Sequence, residues 1–396
     1  MKQNKYKIIN GQLLTPSGIM KDGIVCVDGN RIVEIGQMNI DFPDSIIINA
    51  HGNYISPGFI DLHTHGAGGA DFMDETPEAF LTIAEMHAKH GTTGLYPTTL
   101  SSTREHILNT ITTYEKAKAI NDKGSAFMGL HLEGPYFSMN QRGAQDPRFI
   151  RNPQPEEYLP IIDAGPCIKR WSSAPELDGD EAFVKVLLKK DILPAIAHSD
   201  AIYEEVLAAW KRGYRHITHL YSGMSGVTRR KGFRFAGVIE SAFLIDEMTV
   251  EIIADGCHLP ASLLQLIYKF KGPDKIALIT DSMRGAGMPE GKSILGGLAA
   301  GQEVIVEDGV AKMPDRLAFA GSVATTDRLV RTMCSIAEIP LTEAVKMATE
   351  TPAHIMHIND KKGSLQKNKD ADIIIFDNQI HVMMTMVNGK IVYKES

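Results

Sequence analysis

The chain has 396 residues, 43% hydrophobic and 22% charged, with a formal net charge of -7, an ordinary globular composition with room for one large domain and a small one. The acidic balance excludes a basic footprint for nucleic acid, and no apolar run approaches membrane-spanning length. Cys26, Cys167, Cys257 and Cys334 lack CxxC spacing, so neither a disulfide framework nor a thiolate zinc knuckle is expected.

The start, residues 1–7, is basic but is followed by no long apolar segment or cleavage signal, so the reading is a cytoplasmic protein without a membrane partner. Short strands are predicted over 6–10, 23–27, 31–35 and 46–49, with Asp28-Gly29-Asn30 as a turn, and again over 371–377 and 387–393. The two ends are therefore expected to pair as a small β-sandwich domain, 1–56 with 359–396.

Between them, over 57–358, apolar runs alternate with helix-length amphipathic segments such as 77–90, 104–120 and 201–212, the pattern of parallel β/α units. Eight runs read as strands: 54–62, 93–97, 127–132, 168–172, 192–197, 216–218, 249–254 and 275–279. Eight closes a TIM-like (β/α)8 barrel, whose chemistry sits at the C-terminal strand ends. The fold class is therefore α/β.

The first run ends Asp61-Leu62-His63-Thr64-His65. Strand side chains alternate faces, so His63 and His65 point the same way and can share a cation. Further strand ends carry Glu133, His198, His219 and Asp281, which makes six potential ligands on five strands. Any one of them could be a buried, hydrogen-bonded side chain or a helix cap; all six in register are a metal site. Nitrogen and oxygen donors without thiolate suit Zn²⁺ or Fe²⁺. His216, three positions from His219, is expected to face the other way, His87, His90 and His106 fall in helical segments as packing or surface residues, and His131 could stand behind the site.

Six ordered motifs, Pro57-Gly58-Phe59-Ile60-Asp61, His131-Leu132-Glu133-Gly134-Pro135, Ala197-His198-Ser199-Asp200, Thr218-His219-Leu220-Tyr221, Ile253-Ala254-Asp255-Gly256-Cys257-His258 and Thr280-Asp281-Ser282-Met283, resemble the amidohydrolase superfamily and, within it, the N-acetylglucosamine-6-phosphate deacetylases. The resemblance covers nearly the whole chain. It implies that Glu133, His198 and His219 hold a principal ion, and that retention of His63 and His65 adds a second, bridged by Glu133. Strand four keeps its lysine, Lys169, inside the run, which favours glutamate over a carboxylated lysine as the bridge.

By the same resemblance Asp281 is a metal-site residue and the general acid and base, and Gln145, in Arg142-Gly143-Ala144-Gln145, polarises the carbonyl. Ala144, Ser222, Gly223, Asp255, Gly256, His258, Phe319, Ala320 and Gly321 match substrate-binding positions, and Arg230 aligns with an arginine that pairs with the sugar phosphate, often across a dimer. Here Tyr221-Ser222-Gly223-Met224 departs from the family's Tyr-Asn-Ala-Met. The implied activity is metal-dependent hydrolysis of the acetamide of an N-acetyl-hexosamine 6-phosphate, in amino sugar metabolism, by a homodimer carrying one or two ions per subunit. The alternative is a deacylase of an unphosphorylated N-acetyl amino sugar or another N-acyl amine. The Gly66-Ala67-Gly68-Gly69 run lacks the spacing of a dinucleotide loop.

Overall fold

The computed structural model describes residues 5–37, 40–179 and 181–395; the remaining residues, including 1–4 of the basic start, lie outside the described residues. Eight parallel strands follow in chain order around the barrel: Phe59–Thr64, Thr92–Thr99, Leu130–Glu133, Ile168–Ser173, Leu193–Ile196, His216–Ile217, Thr249–Ile252 and Ile276–Leu278. Closure between the last and the first is made by the Asp281 N–H donating to the His63 carbonyl at 2.9 Å and by a parallel bridge between Thr64 and Ser282. All eight predicted runs thus supply barrel strands, with 93–97 and 168–172 lengthened, 54–62 and 127–132 beginning and ending later, and the other four trimmed at one or both ends.

The first run is two elements. Tyr54–Pro57 pairs antiparallel with Ile373–Phe376 in the small sheet, and Phe59–Thr64 pairs parallel with Thr92–Thr99 in the barrel. Gly58 is the hinge, because a Cβ there would come within 2.1 Å of the Thr93 side chain. The small sheet draws on both chain ends and is mostly antiparallel: Lys5–Thr15, Gly18–Asp28, Arg31–Gln37, Ile46–Asn49 and Tyr54–Pro57 join Ile373–Phe376, Val382–Val387 and Lys390–Lys394. Its alternating residues Ile8, Val25, Val27, Ile55, Ile373 and Met386 bury one face.

A sheet that was not expected caps the barrel. After the last barrel strand, Gly291–Leu295, Gln302–Glu307, Val310–Lys312 and Phe319–Ser322 form a four-stranded antiparallel sheet over the C-terminal mouth of the barrel. Phe319, Ala320 and Gly321 lie in the last of those strands. No helix of the described residues is long and apolar enough to cross a membrane.

On the fourth barrel strand Trp171 is fully buried; it stacks on Tyr136 at 5.7 Å, meets Phe183 edge-on at 5.1 Å, and donates Nε1–H to the Gly134 carbonyl at 2.8 Å. Trp171→Phe keeps the apolar contact but strands that carbonyl beside a void. The expected loss is about 1–3 kcal/mol, read as a lowered denaturation midpoint; an unchanged midpoint would show that the carbonyl finds another donor.

Candidate active site

The C-terminal strand ends bring the six expected ligands into one buried cluster. His63 and His65 project from the first strand with their Nε2 atoms 3.1 Å apart. Glu133 Oε1 lies 2.9 Å from His219 Nε2, 3.4 Å from His198 Nε2 and 3.5 Å from His63 Nε2, while Oε2 lies 3.4 Å from His65 Nε2. Asp281 Oδ1 closes the ring, 3.2 Å from His65 Nε2 and 3.4 Å from His63 Nε2. Two donor groups of metal-binding dimensions result, His63 with His65 and Glu133, and Glu133 with His198 and His219. Glu133 is common to both.

The outer nitrogens of the rings establish what this cluster can hold. His65 Nδ1 faces the Thr98 carbonyl at 3.2 Å, His198 Nδ1 the Gln141 carbonyl at 2.7 Å, and His219 Nδ1 the Ser222 carbonyl at 3.1 Å. A carbonyl only accepts, so each Nδ1 carries a proton and, while the ring is neutral, each Nε2 turns a lone pair inward. Those lone pairs meet two carboxylates, which are acceptors as well. Among the described residues no lysine or arginine lines this cavity of about 210 Å³, so the positive charge must come from protons or from a bound cation.

The proton balance shows how strong that demand is. Burial would lower the His65 imidazole, but the Asp281 and Glu133 carboxylates outweigh it and push it up to about 10. His63 is likewise held up to about 9 by Glu133 and Asp281 against burial. A buried set of four imidazole nitrogens and two carboxylates fits Zn²⁺ or Fe²⁺.

Beneath the cluster lies a second layer. His131 packs edge-on against His63 with ring centroids 4.7 Å apart and lies 2.6 Å from Ser172 Oγ through Nε2. His216 does not turn away as expected. Its Nε2 is 3.2 Å from Glu251 Oε1 inside the barrel, because the strand ends at Ile217 and the chain bends before His219, whose φ is 28°, so strand parity no longer relates the two. His87 is a packing residue as expected, 3.2 Å from both Thr64 Oγ1 and Ser282 Oγ.

A model of the amidohydrolase family matches residues 54–392. N-acetylglucosamine-6-phosphate deacetylase of Bacillus subtilis (strain 168) is 31% identical over 96% of this chain and 95% of its own length. The chain belongs to the amidohydrolase family, among the N-acetylglucosamine-6-phosphate deacetylases. The solved structure of the Pasteurella multocida deacetylase superposes with a TM-score of 0.90 at 28% identity, covering 98% of this chain and 99% of that one. A mutant of the Mycobacterium smegmatis deacetylase, solved in complex with N-acetyl-D-glucosamine-6-phosphate, superposes at 0.89 with 27% identity over the full length of both chains.

The residues that the deacetylase family pattern assigns to substrate fall into two sets. Ala144, Gln145, Ser222, Gly223, His258, Phe319 and Gly321 line the cavity. Gln145 is buried, donates Nε2–H to Glu133 Oε2 at 2.7 Å and accepts from the Ser101 N–H at 2.8 Å. His258 is steered into the wall by Asp255, whose Oδ2 takes up its Nδ1 at 2.8 Å, with the Phe319 ring 4.8 Å away. Asp255, Gly256, Ala320 and Arg230 do not line the cavity.

Arg230 is exposed on a small hairpin, Thr228–Arg230 with Phe233–Phe235, its guanidinium 5.3 Å over the Phe235 ring. The Ser222-Gly223 departure lies against His198: with φ at 57°, a Cβ on Gly223 would stand 2.6 Å from His198 Nδ1 and 2.9 Å from the Gln141 carbonyl. Glycine lets the loop press onto His198.

Sequence reasoning missed Arg170 and Glu251, both fully buried below His63. Each is a charged residue at a buried position of a barrel strand, Ile168-Lys169-Arg170-Trp171 and Val250-Glu251-Ile252. Lone charges in buried strands are costly unless they meet, and that signal could have paired them.

Proposed function

We propose that this chain hydrolyses the acetamide of N-acetylglucosamine 6-phosphate, giving the amino sugar phosphate and acetate, with Zn²⁺ or Fe²⁺ held by Glu133, His198 and His219 and a second ion by His63, His65 and Glu133. The observation that carries it is the convergence of four imidazole Nε2 atoms on Glu133 and Asp281 in a chain of this family. When bound, such an ion polarises the acetyl carbonyl and lowers the pKa of water.

The remaining chemistry belongs to side chains. Asp281 takes the proton of the attacking water and returns it to the amine nitrogen, which leaves only once protonated. Gln145 spends one of its two amide N–H groups on Glu133 and has the other for the oxyanion that develops on the acetyl oxygen. His258, held by Asp255, and the Ser222-Gly223 backbone receive the sugar.

Arg230 is read as the phosphate clamp, since a guanidinium fork matches phosphate geometry. Its exposure and its absence from the wall of its own cavity support service to the site of a second copy, hence a homodimer. The same exposure favours, as the second reading, a deacylase of unphosphorylated N-acyl amines.

Acetate release from N-acetylglucosamine 6-phosphate and from N-acetylglucosamine, on protein of known metal content, separates the two. The expected result is a kcat/KM advantage of about 100-fold or more for the phosphorylated sugar, roughly 2.7 kcal/mol, most of it lost in Arg230→Ala through a raised KM. Equal rates on both sugars would overturn the phosphate assignment in favour of the second reading, and no acetate from either, with metal bound, would overturn the first reading and point to another N-acyl amine.

A further inference from the structure

The outer nitrogen of His63 differs from those of the other three ligands. Its Nδ1 makes no hydrogen bond to a main-chain carbonyl and instead has a side-chain carboxylate, Glu251 Oε2, at 3.5 Å. Glu251 is fully buried on the seventh strand and is gripped on the far side by Arg170 of the fourth, whose Nη1 donates to Oε1 and whose Nη2 donates to Oε2 at 2.9 Å. Arg170 Nη1 also donates to the Leu62 carbonyl at 3.3 Å, the peptide that leads into His63, and Nη2 donates to Thr218 Oγ1 at 2.7 Å, one residue before the ligand His219.

A buried ion pair of this kind costs desolvation, and two apolar side chains of the same volume would fill the barrel with less penalty. Its placement has a use. A carboxylate behind a ligand imidazole fixes its ring and tautomer and raises its basicity, and such partners alter metal affinity by about 10- to 100-fold when removed. From this geometry we infer that Glu251, held by Arg170, is the positioning residue of the His63–His65 ion, and that the ion shared by Glu133, His198 and His219 does not depend on it. The inference rests on the two-ion reading above. Glu251 reaches one ligand only, so its effect is confined to one of the two ions.

Chelated full-length protein is dialysed against Zn²⁺ at graded free concentrations and metal per chain is measured, with circular dichroism as the control for folding. Wild type is expected to take up two ions. Glu251→Gln is expected to weaken one of them by about 10- to 100-fold and to leave the other unchanged. Because Glu251→Gln strands the Arg170 charge and could unfold the barrel, Arg170→Met/Glu251→Leu removes both charges together and is expected to give the same selective loss.

The deciding control is His63→Ala, where adding Glu251→Gln is expected to leave affinity for the remaining ion unaltered. A general loosening of the barrel would weaken that ion too. Two ions bound with wild-type affinity in the charge-free double variant, or equal weakening of both, overturns the inference while leaving the two-ion reading intact. A wild type that binds one ion overturns both.

Discussion

Replacing Asp281 by asparagine is expected to lower kcat by about 10²- to 10⁴-fold, the range for loss of a positioned general acid and base. Asp281 is carried at the end of the eighth strand with its N–H on the His63 carbonyl at 2.9 Å and its own carbonyl accepting from Ser322 N–H at 2.7 Å, so the isosteric amide will not move. Burial would raise its carboxyl, but the imidazoles of His63 and His65 outweigh that and hold it below the usual carboxylate range. At neutral pH it is therefore ionised and can accept a proton, which an amide cannot. Because the interaction acts in the transition state, kcat and kcat/KM should fall together with KM little changed. Steady-state acetate release checks this, and a variant retaining a tenth of wild-type kcat would place the base on another residue.

Glu133→Gln is expected to have the second large effect, on metal content as well as rate. The Glu133 carboxylate is the only group that belongs to both donor sets among the described residues. Removing its charge leaves four imidazoles and Asp281 to balance up to two dications in a buried site, an uncompensated arrangement. Metal per chain should fall below one, and kcat/KM by about 10³-fold or more, since roughly 4 kcal/mol is within what a Lewis acid contributes to such a transition state. Thermal denaturation gives an independent check. An ion that binds only the folded state stabilises it in proportion to the logarithm of its concentration over Kd, so wild type should gain stability with added zinc and the variant should not. A variant that keeps its full metal complement would show that the histidines suffice and that Glu133 is not the bridge.

The six clustered side chains were legible because they obey local rules. His63 and His65 lie two apart on a strand, and Glu133, His198, His219 and Asp281 each follow a short apolar run, so period-two alternation and the count of eight runs were enough to collect them at one end of a barrel. The helices over Pro77–Lys89, Arg104–Ile120 and Tyr203–Arg212 followed from their amphipathic spacing in the same way.

What escaped that reading depends on partners distant in the chain. The split of the first run at Gly58 is invisible in a continuous apolar stretch and arises because Ile373–Phe376 and Thr92–Thr99 compete for its two halves. The four-stranded sheet over the barrel mouth is built from short, half-exposed strands, Gly291–Leu295 and Phe319–Ser322 among them, whose weak alternation gave no signal. His216 was misjudged because strand parity stops where the chain bends.

Local periodicity and residue types at strand ends were enough for the barrel, the pairing of its two ends and the six side chains gathered at one end, and the resemblance of six ordered motifs was enough for the family. Which ring nitrogen faces inward, that Glu133 is shared by both donor groups, that Arg170 and Glu251 stand under His63, and that Arg230 lies outside its own cavity were not readable along the chain. Those are distances between side chains far apart in the chain, and they exist only once the barrel closes and brings its strand ends within a few ångströms of one another.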